Sequence, residues 1–361
     1  MRRCDGRFVW GFALGIVITF LFIETRNHYS PRILETQIST DFAEEPNDDS
    51  ESHLNDPQLV FDQPQKHAQH GQQHSHAKNA ISDTLFNKVK ILCWIMTHPT
   101  EKNIKKVTSV NETWAQRCNK VVYFSTYKNL GLETEDLEFQ EGRNFLWDKT
   151  KRVLLHLHKK YGDQFDWYFK ADDDTFAVME NMRFMLSAYD PAEPRYIGCN
   201  FKLNNIFYNS GGAGYVMSRA AMAKFADNYS KDRRCPPGTG GPEDYNLGRC
   251  MNAFGINATD SRDLQGRLRF LPLSAQSHFG DHLPSWLERY VVHEYHHKAA
   301  CCSDLVITFH YITPDVMYLL EFFTYHLHVF GRENDYSIPS TVPKEGLYGE
   351  IQKISRSFGQ T

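Results

Sequence analysis

No stripe of Lys and Arg interleaved with aromatics occurs in this chain, and its net charge is only -4 over 361 residues. A nucleic-acid partner is therefore not expected. None of the eight cysteines has zinc-finger spacing, which argues against a structural zinc site. The glycines show neither the dinucleotide fingerprint nor the P-loop spacing, and no internal repeat is evident. Of long apolar runs free of charge there is little beyond Phe8 to Ile23.

That run sets the expected compartment. Arg2, Arg3 and Arg7 precede it and Glu24 follows, the asymmetry of a segment whose N-terminus stays in the cytosol. At a rise of about 1.5 Å per residue it gives roughly 24 Å of helix, enough for a thin early-secretory membrane. Its bulky end, Phe20 to Ile23, has no small-residue cleavage site after it, so an uncleaved anchor is favoured over a signal peptide. Seven cysteines, from Cys93 to Cys302, would then lie in an oxidising lumen. An odd number leaves one thiol free or paired between copies in a homodimer. Three triplets, at Asn111, Asn228 and Asn257, fit N-glycosylation there.

The composition changes along the chain. Mean hydropathy is -0.53, and the polar residues concentrate between about Glu24 and Ser82, an acidic, His- and Gln-rich stretch that reads as a flexible stem. Order is expected from near Val89. Val89 to Met96 and Lys120 to Ser125 have strand character, separated by a helical stretch from Asn103 to Trp114. A helix from about Asn144 to Lys160 leads into the apolar run Trp167-Tyr168-Phe169. Further short strands at Tyr196 to Gly198 and Gly214 to Met217 alternate with helices at Arg219 to Phe225 and Asp244 to Phe254. The pattern predicts an α/β fold with a mostly parallel central sheet covered by helices, in which ligands sit at the carboxyl ends of strands.

Asp172-Asp173-Asp174 falls at such an end. In extended chain Asp172 and Asp174 share a face and can converge on one hard cation while Asp173 turns away; the competing reading is an acidic start to a helix running through Met185. Gly211-Gly212-Ala213-Gly214 is a flexible turn that lets a ligand approach the backbone, although a plain turn has the same composition. Glu243-Asp244 opens a helix, where acids are commonly structural; beside a sugar donor, one of them could accept the proton of an attacking hydroxyl. His310 sits in Leu305 to Tyr311, read as a buried strand. It is either a hydrogen-bonded core histidine or the third ligand of a mixed O/N site suited to Mn2+.

From about Val89 to about Gly331 the chain resembles the core 1 β1,3-galactosyltransferases (T-synthases) of glycosyltransferase family 31. The resemblance is carried by Leu92 to Thr97, Thr113 to Lys120, Lys170 to Thr175, Ser210 to Val216, Glu243-Asp244 with Leu247 to Cys250, and Cys301 to Asp304 with Phe309-His310-Tyr311. It implies a Golgi type II membrane enzyme of GT-A fold. Residues 1–7 would be a cytosolic tail, 8–23 a transmembrane signal-anchor, 24–82 the luminal stem and 83–361 the luminal catalytic domain. UDP-galactose would be the donor and GalNAc-bearing glycoproteins the acceptors, joined with inversion. The resemblance makes Asp172, Asp174 and His310 the Mn2+ ligands, and places Met96, Glu141, Gly142, Arg143, Lys149, Asp172 and Tyr311 around UDP. Asp244 would be the base, with Glu243 second, and Trp286 would pack on the acceptor GalNAc.

In the same setting Cys93 would pair with Cys118, Cys235 with Cys250 and Cys301 with Cys302, leaving Cys199 free. The chain departs from the family in Val291 to Ala300, where an aromatic, Pro- and Gly-rich run is usual, and in the Pro/Gly-rich Pro236 to Gly241. A fringe-like or other β1,3-glycosyltransferase with a different donor or acceptor, and a weakly active or non-catalytic paralogue acting as a folding partner, are the alternatives.

Overall fold

Ile91-Leu92-Cys93-Trp94-Ile95-Met96 is apolar without alternation, as a strand covered on both faces must be. It forms β1 (Ile91–Met96), with all six residues buried. The two-residue period sends Ile91, Cys93 and Ile95 into one core and Leu92, Trp94 and Met96 into the other. The computed structural model describes residues 72–126, 132, 134–138, 140–329 and 345–359, all within one unit, Gln69–Thr361. The expected anchor at 8–23 and most of the stem lie outside the described residues. No helix among the described residues is long and apolar enough to cross a membrane.

The remaining strands are β2 (Lys120–Phe124), β3 (Thr134–Glu135), β4 (Trp167–Asp172), β5 (Phe176–Ala177), β6 (Tyr196–Gly198), β7 (Asn200–Leu203), β8 (Ile206–Asn209), β9 (Tyr215–Ser218), β10 (Ala258–Asp260), β11 (Phe270–Leu271) and β12 (Thr308–Phe309). Seven form the main sheet in the order β10-β6-β9-β4-β1-β2-β3. All its pairings are parallel except those of β9, which runs against β4 and β6. Helices cover both faces. Glu101–Glu112 and Met179–Leu186 pack Val107, Val110, Met182 and Met185 into the first core. Leu146–Tyr161 and Glu243–Ala253 pack Trp147, Val153, Leu157, Leu247 and Met251 into the second.

The mostly parallel α/β fold expected from the alternation is therefore present, with four differences. Helical order precedes Val89: Gln72–Lys88 is helical, and Ala80, Ile81 and Leu85 pack on the first core. The triple acid does not start a helix. β4 ends at Asp172, a turn follows, β5 pairs with β12, and the helix begins at Met179. Of the strand expected over Leu305 to Tyr311 only Thr308–Phe309 is one. Finally, β7 and β8 form a hairpin absent from the sequence reading, with Asn204 and Asn205 at φ 48° and 61° as its two-residue loop. Asn tolerates that left-handed conformation, which matches the twist of paired strands.

Among the described residues three disulfides join Cys93 to Cys118, Cys235 to Cys250 and Cys301 to Cys302, and Cys199 is a buried free thiol. The first ties the centre of the sheet to the turn that follows the Glu101–Glu112 helix, across a separation of 25 residues. A loop of that size constrains the unfolded chain by about 3 kcal/mol. The Cys93→Ala/Cys118→Ala double variant is expected to lose about that much stability in equilibrium urea unfolding. An unchanged midpoint would show that the bond constrains nothing.

Candidate active site

The chain passes from β1 to β2 and β3 on one side, then returns to β4 on the other. β1 and β4 therefore flank the switch point of the sheet, where the carboxyl ends of strands open a crevice. Register places Met96 opposite Asp172 at that opening. Asp172 ends β4, and the turn beyond it is closed by Thr175 N donating to the Asp172 carbonyl at 3.2 Å. This turn, rather than strand pleating, brings Asp174 round beside Asp172. Asp173 points away and its Oδ2 accepts from Thr97 Oγ1 (2.6 Å) and Asn103 Nδ2 (2.9 Å). Burial and the neighbouring Asp174 push its carboxyl up to about 6.

His310 completes the cluster. Its Nε2 lies 3.3 Å from Asp174 Oδ1 and 3.9 Å from Asp172 Oδ2. One ligand atom from each residue falls within 4.8 Å of the others. Burial works against charge on both groups, yet Asp174 draws the imidazole above its ordinary value, and His310 with Lys106 holds the Asp174 carboxyl well below the carboxylate range. Ile312 N donates to the Asp174 carbonyl (2.9 Å), so the acid turn and the His310 segment are tied through the backbone as well. Two carboxylates and one imidazole fit a divalent cation of intermediate hardness. A second grouping, His278 with Cys301 and Cys302, offers no comparable site, because the disulfide leaves neither sulfur as a thiolate.

Lys170 and the glycine run connect this cluster to the second acidic pair. Buried Lys170 donates to Asp172 Oδ1 (2.6 Å) and to the Gly211 carbonyl (3.0 Å). Gly211 N donates in turn to Asp244 Oδ2 (3.1 Å). Asp244 Oδ1 accepts from Tyr245 N (2.7 Å); burial raises its carboxyl and the two amide bonds oppose the rise. Glu243 is more deeply buried. Its Oε1 accepts from Tyr215 OH (2.7 Å) and Thr150 Oγ1 (3.2 Å), and burial pushes it up to about 7 against the pull of Lys170.

The residues expected around UDP form two groups. Lys149 Nζ donates to the Thr97 carbonyl (2.8 Å) and to both Glu141 oxygens (3.1 and 3.0 Å), while Glu141 accepts from Thr126 N (3.0 Å), locking the ends of β1 and β2 together. Met96 Sδ meets Thr150 Oγ1 at 3.8 Å. Gly142, at φ 112°, opens the turn Arg143–Phe145. On the other wall, Tyr311 has a left-handed backbone (φ 55°), is 46% exposed and lies against His310 at 3.8 Å between ring centres. Burial and the charges of Asp174 and Asp172 raise its hydroxyl, and the charge of Arg143 opposes them.

Trp286 is farther out. It meets Phe201 (6.2 Å) and Tyr290 (6.3 Å); Phe201 meets Tyr208 (5.7 Å), and Tyr208 meets Tyr245 (5.6 Å), beside Asp244. An aromatic wall thus links Trp286 to the second acidic pair. The departing segment at Val291 to Ala300 is anchored nearby, His297 on Asp281 (2.8 Å) and Glu288 (3.3 Å) and His293 facing Asp260 (3.5 Å).

Sequence reading gave Lys170 no role beyond heading the acidic segment, and left the glycine run undecided. The structure decides it. A Cβ on Gly212 would lie 2.0 Å from His310 Cε1, and one on Gly211 2.9 Å from Glu243 Oε2. The signal was the run's place immediately before a strand of the sheet, Tyr215–Ser218.

A helix-covered α/β sheet with carboxylates and an imidazole gathered at its switch point has the layout of a ligand-binding site that could hold a divalent cation. The Fringe-like family model matches residues 72–284. Glycoprotein-N-acetylgalactosamine 3-beta-galactosyltransferase 1 of Xenopus laevis is 39% identical over 276 residues, which span 74% of this chain and 76% of that relative. The beta-1,3-glucosyltransferases of Mus musculus and Homo sapiens are each 27% identical over 164 residues, 43% of this chain and 32% and 31% of theirs. The chain belongs to the Fringe-like family and is a glycosyltransferase.

Gly212→Ala is expected to displace the His310 ring and lower glycosyl transfer by about a hundredfold. Gly349→Ala, at a helical site where nothing lies within 4 Å, should leave turnover unchanged. Wild-type turnover in Gly212→Ala would refute the close packing of loop and imidazole.

Proposed function

We propose that the protein is an inverting β1,3-galactosyltransferase that moves galactose from UDP-galactose to the 3-hydroxyl of GalNAc α-linked to Ser or Thr on glycoproteins. The observation that carries this is the 39% identity to the Xenopus enzyme over three quarters of the chain, in a protein whose Asp172, Asp174 and His310 converge at the sheet's switch point. The mostly parallel sheet with an Asp-x-Asp turn at its opening supports a GT-A fold. The intact acidic site argues against a non-catalytic folding partner.

Asp172, Asp174 and His310 would hold Mn2+, which when bound supplies Lewis-acid neutralisation of the diphosphate leaving group. The chain's own groups do the rest. Lys149 and Glu141 stiffen the strand ends where the nucleotide would lie, and Arg143 and Tyr311 would complete its surroundings. Asp244 is the base: it is more open than Glu243, and the amides of Gly211 and Tyr245 favour its ionised form. Its carboxylate takes the proton of the acceptor hydroxyl as that oxygen attacks the sugar. The aromatic wall ending in Trp286 offers an apolar face for the GalNAc ring. The apolar run Phe8 to Ile23 with its flanking charges, read as an uncleaved anchor, and the disulfides support a Golgi type II protein with a luminal catalytic domain.

The test is transfer by the full chain from a panel of UDP-sugars, UDP-glucose included, to a GalNAc-Thr peptide, with and without Mn2+. Product with UDP-galactose and Mn2+ is expected, with β1,3 linkage by NMR. Asp174→Ala should remove the metal-dependent activity. Asp244→Asn should still bind UDP while losing transfer by about a thousandfold. Absence of product with UDP-galactose would refute the donor assignment, and turnover in Asp244→Asn would move the base elsewhere.

A further inference from the structure

His310 is held from behind as firmly as it is engaged in front. Its backbone N–H donates to the Leu273 carbonyl (3.2 Å), and its Nδ1 lies 3.3 Å from the Pro272 carbonyl. A proton on Nδ1 shared with that carbonyl leaves Nε2 as the lone-pair atom, facing Asp174 and Asp172. This is how a metal-binding imidazole is usually oriented. The Pro272-Leu273 segment therefore sets the direction of the ring. It lies between the end of β11 at Leu271 and the short helix Ala275–Phe279.

His278, in that short helix, grips the segment. Leu273 N donates to His278 Nε2 (3.2 Å), and His278 Nδ1 lies 2.5 Å from the Tyr295 hydroxyl. A backbone N–H can only donate, so Nε2 carries the lone pair and Nδ1 the proton, given to Tyr295. The ring has no exposed surface. A nitrogen of it lies within 4.8 Å of the sulfurs of Cys301 and Cys302, which close the space behind it. Two imidazoles thus stand on either side of one peptide segment, each bonded to its backbone, one facing the acids and the other locked in the core.

We infer that His278, oriented by Tyr295, is a positioning residue for His310: by clamping the Leu273 amide it fixes the two carbonyls that aim the His310 ring at the cation. The inference rests on the metal reading above and adds a residue that touches neither cation nor substrate. Removing the acceptor leaves the Leu273 N–H buried without a partner, and the segment has to move to find one. His310 then samples other orientations, which weakens metal binding and leaves the chemistry of the loaded site intact.

The experiment is Mn2+ titration of the full chain, with free Mn2+ read by electron paramagnetic resonance, alongside kcat at saturating Mn2+. His278→Leu is expected to raise the Kd for Mn2+ by about tenfold, with saturated kcat within about twofold of wild type. His278→Gln, whose side-chain carbonyl can accept from Leu273 N, should restore most of the affinity. Tyr295→Phe, which keeps the packing and removes the hydroxyl, should raise Kd by a smaller factor, and it decides the matter if His278→Leu does not fold. Unchanged Mn2+ affinity in folded His278→Leu, or in Tyr295→Phe where the first variant fails, overturns the inference. So does an equal loss in His278→Gln, which would trace the effect to packing. Failure of the metal reading itself is distinguished by Asp174→Ala binding Mn2+ as wild type does.

Discussion

Repulsion among carboxylates gathered in one crevice is the constraint on which the rest of the site depends. At 4 Å two like charges oppose each other by about 4 kcal/mol in a medium of intermediate polarity, and Asp172, Asp173, Asp174, Glu243 and Asp244 all lie around the same opening. The chain spreads that cost over separate partners. Lys170 takes Asp172 at 2.6 Å and Lys106 takes Asp174 at 3.1 Å. Asp173 is turned onto Thr97 and Asn103, and Glu243 is buried against Tyr215 and Thr150, where ionisation is disfavoured. What remains facing His310 is a pair of acids whose charge a divalent cation would offset.

That solution requires three chain segments to approach more closely than ordinary side chains permit. The acid turn after β4, the glycine run before β9 and the His310 segment after β12 meet with Gly212 against the imidazole ring. Lys170 and Thr175 bond the carbonyls of Gly211 and Gly212. Glycine is needed here for space, and at Gly214 also for its φ of 75°. Fold and site are therefore one arrangement, since the small sheet β11-β12-β5 carries the His310 segment to the acids.

Strong local signals made much of this legible in the sequence. β1, β2 and β4 are apolar runs buried on both faces, and the helices between them have clear apolar stripes, so the parallel α/β core followed from periodicity alone. The grouping of Asp172, Asp174 and His310 came from the family resemblance, since each residue taken alone has a structural reading at least as good. The losses were where pairing or packing, rather than pattern, decides. β5, β11 and β12 are two residues long and exist only because they pair with one another. Asp174 reaches Asp172 through a turn that alternation does not foretell. The Asn204-Asn205 hairpin was overlooked although its loop residues suit the conformation. Lys170 and His278 each bond a near neighbour, Asp172 and Leu273, and a distant partner, Gly211 and Tyr295, and only the fold brings the distant partners within reach.

The division of labour between Glu243 and Asp244 follows from the same electrostatics. Adjacent on one helix, they cannot both be ionised cheaply in a dry pocket, and the structure gives them opposite surroundings. Glu243 receives hydroxyl donors that serve either protonation state and lies in the core, where burial moves its ionisation towards neutrality. Asp244 receives two backbone amides, which favour the anion, and stays more open to the crevice. Burial raises the Glu243 carboxyl, and whatever share of it is protonated relieves its repulsion with Asp244. Lys170, within the field of both and bonded to Asp172, couples this balance to the acids that face His310. Any change that exposed Glu243 to water would therefore alter Asp244 without touching it, so under the proposed function the buried acid would tune the base without meeting the acceptor.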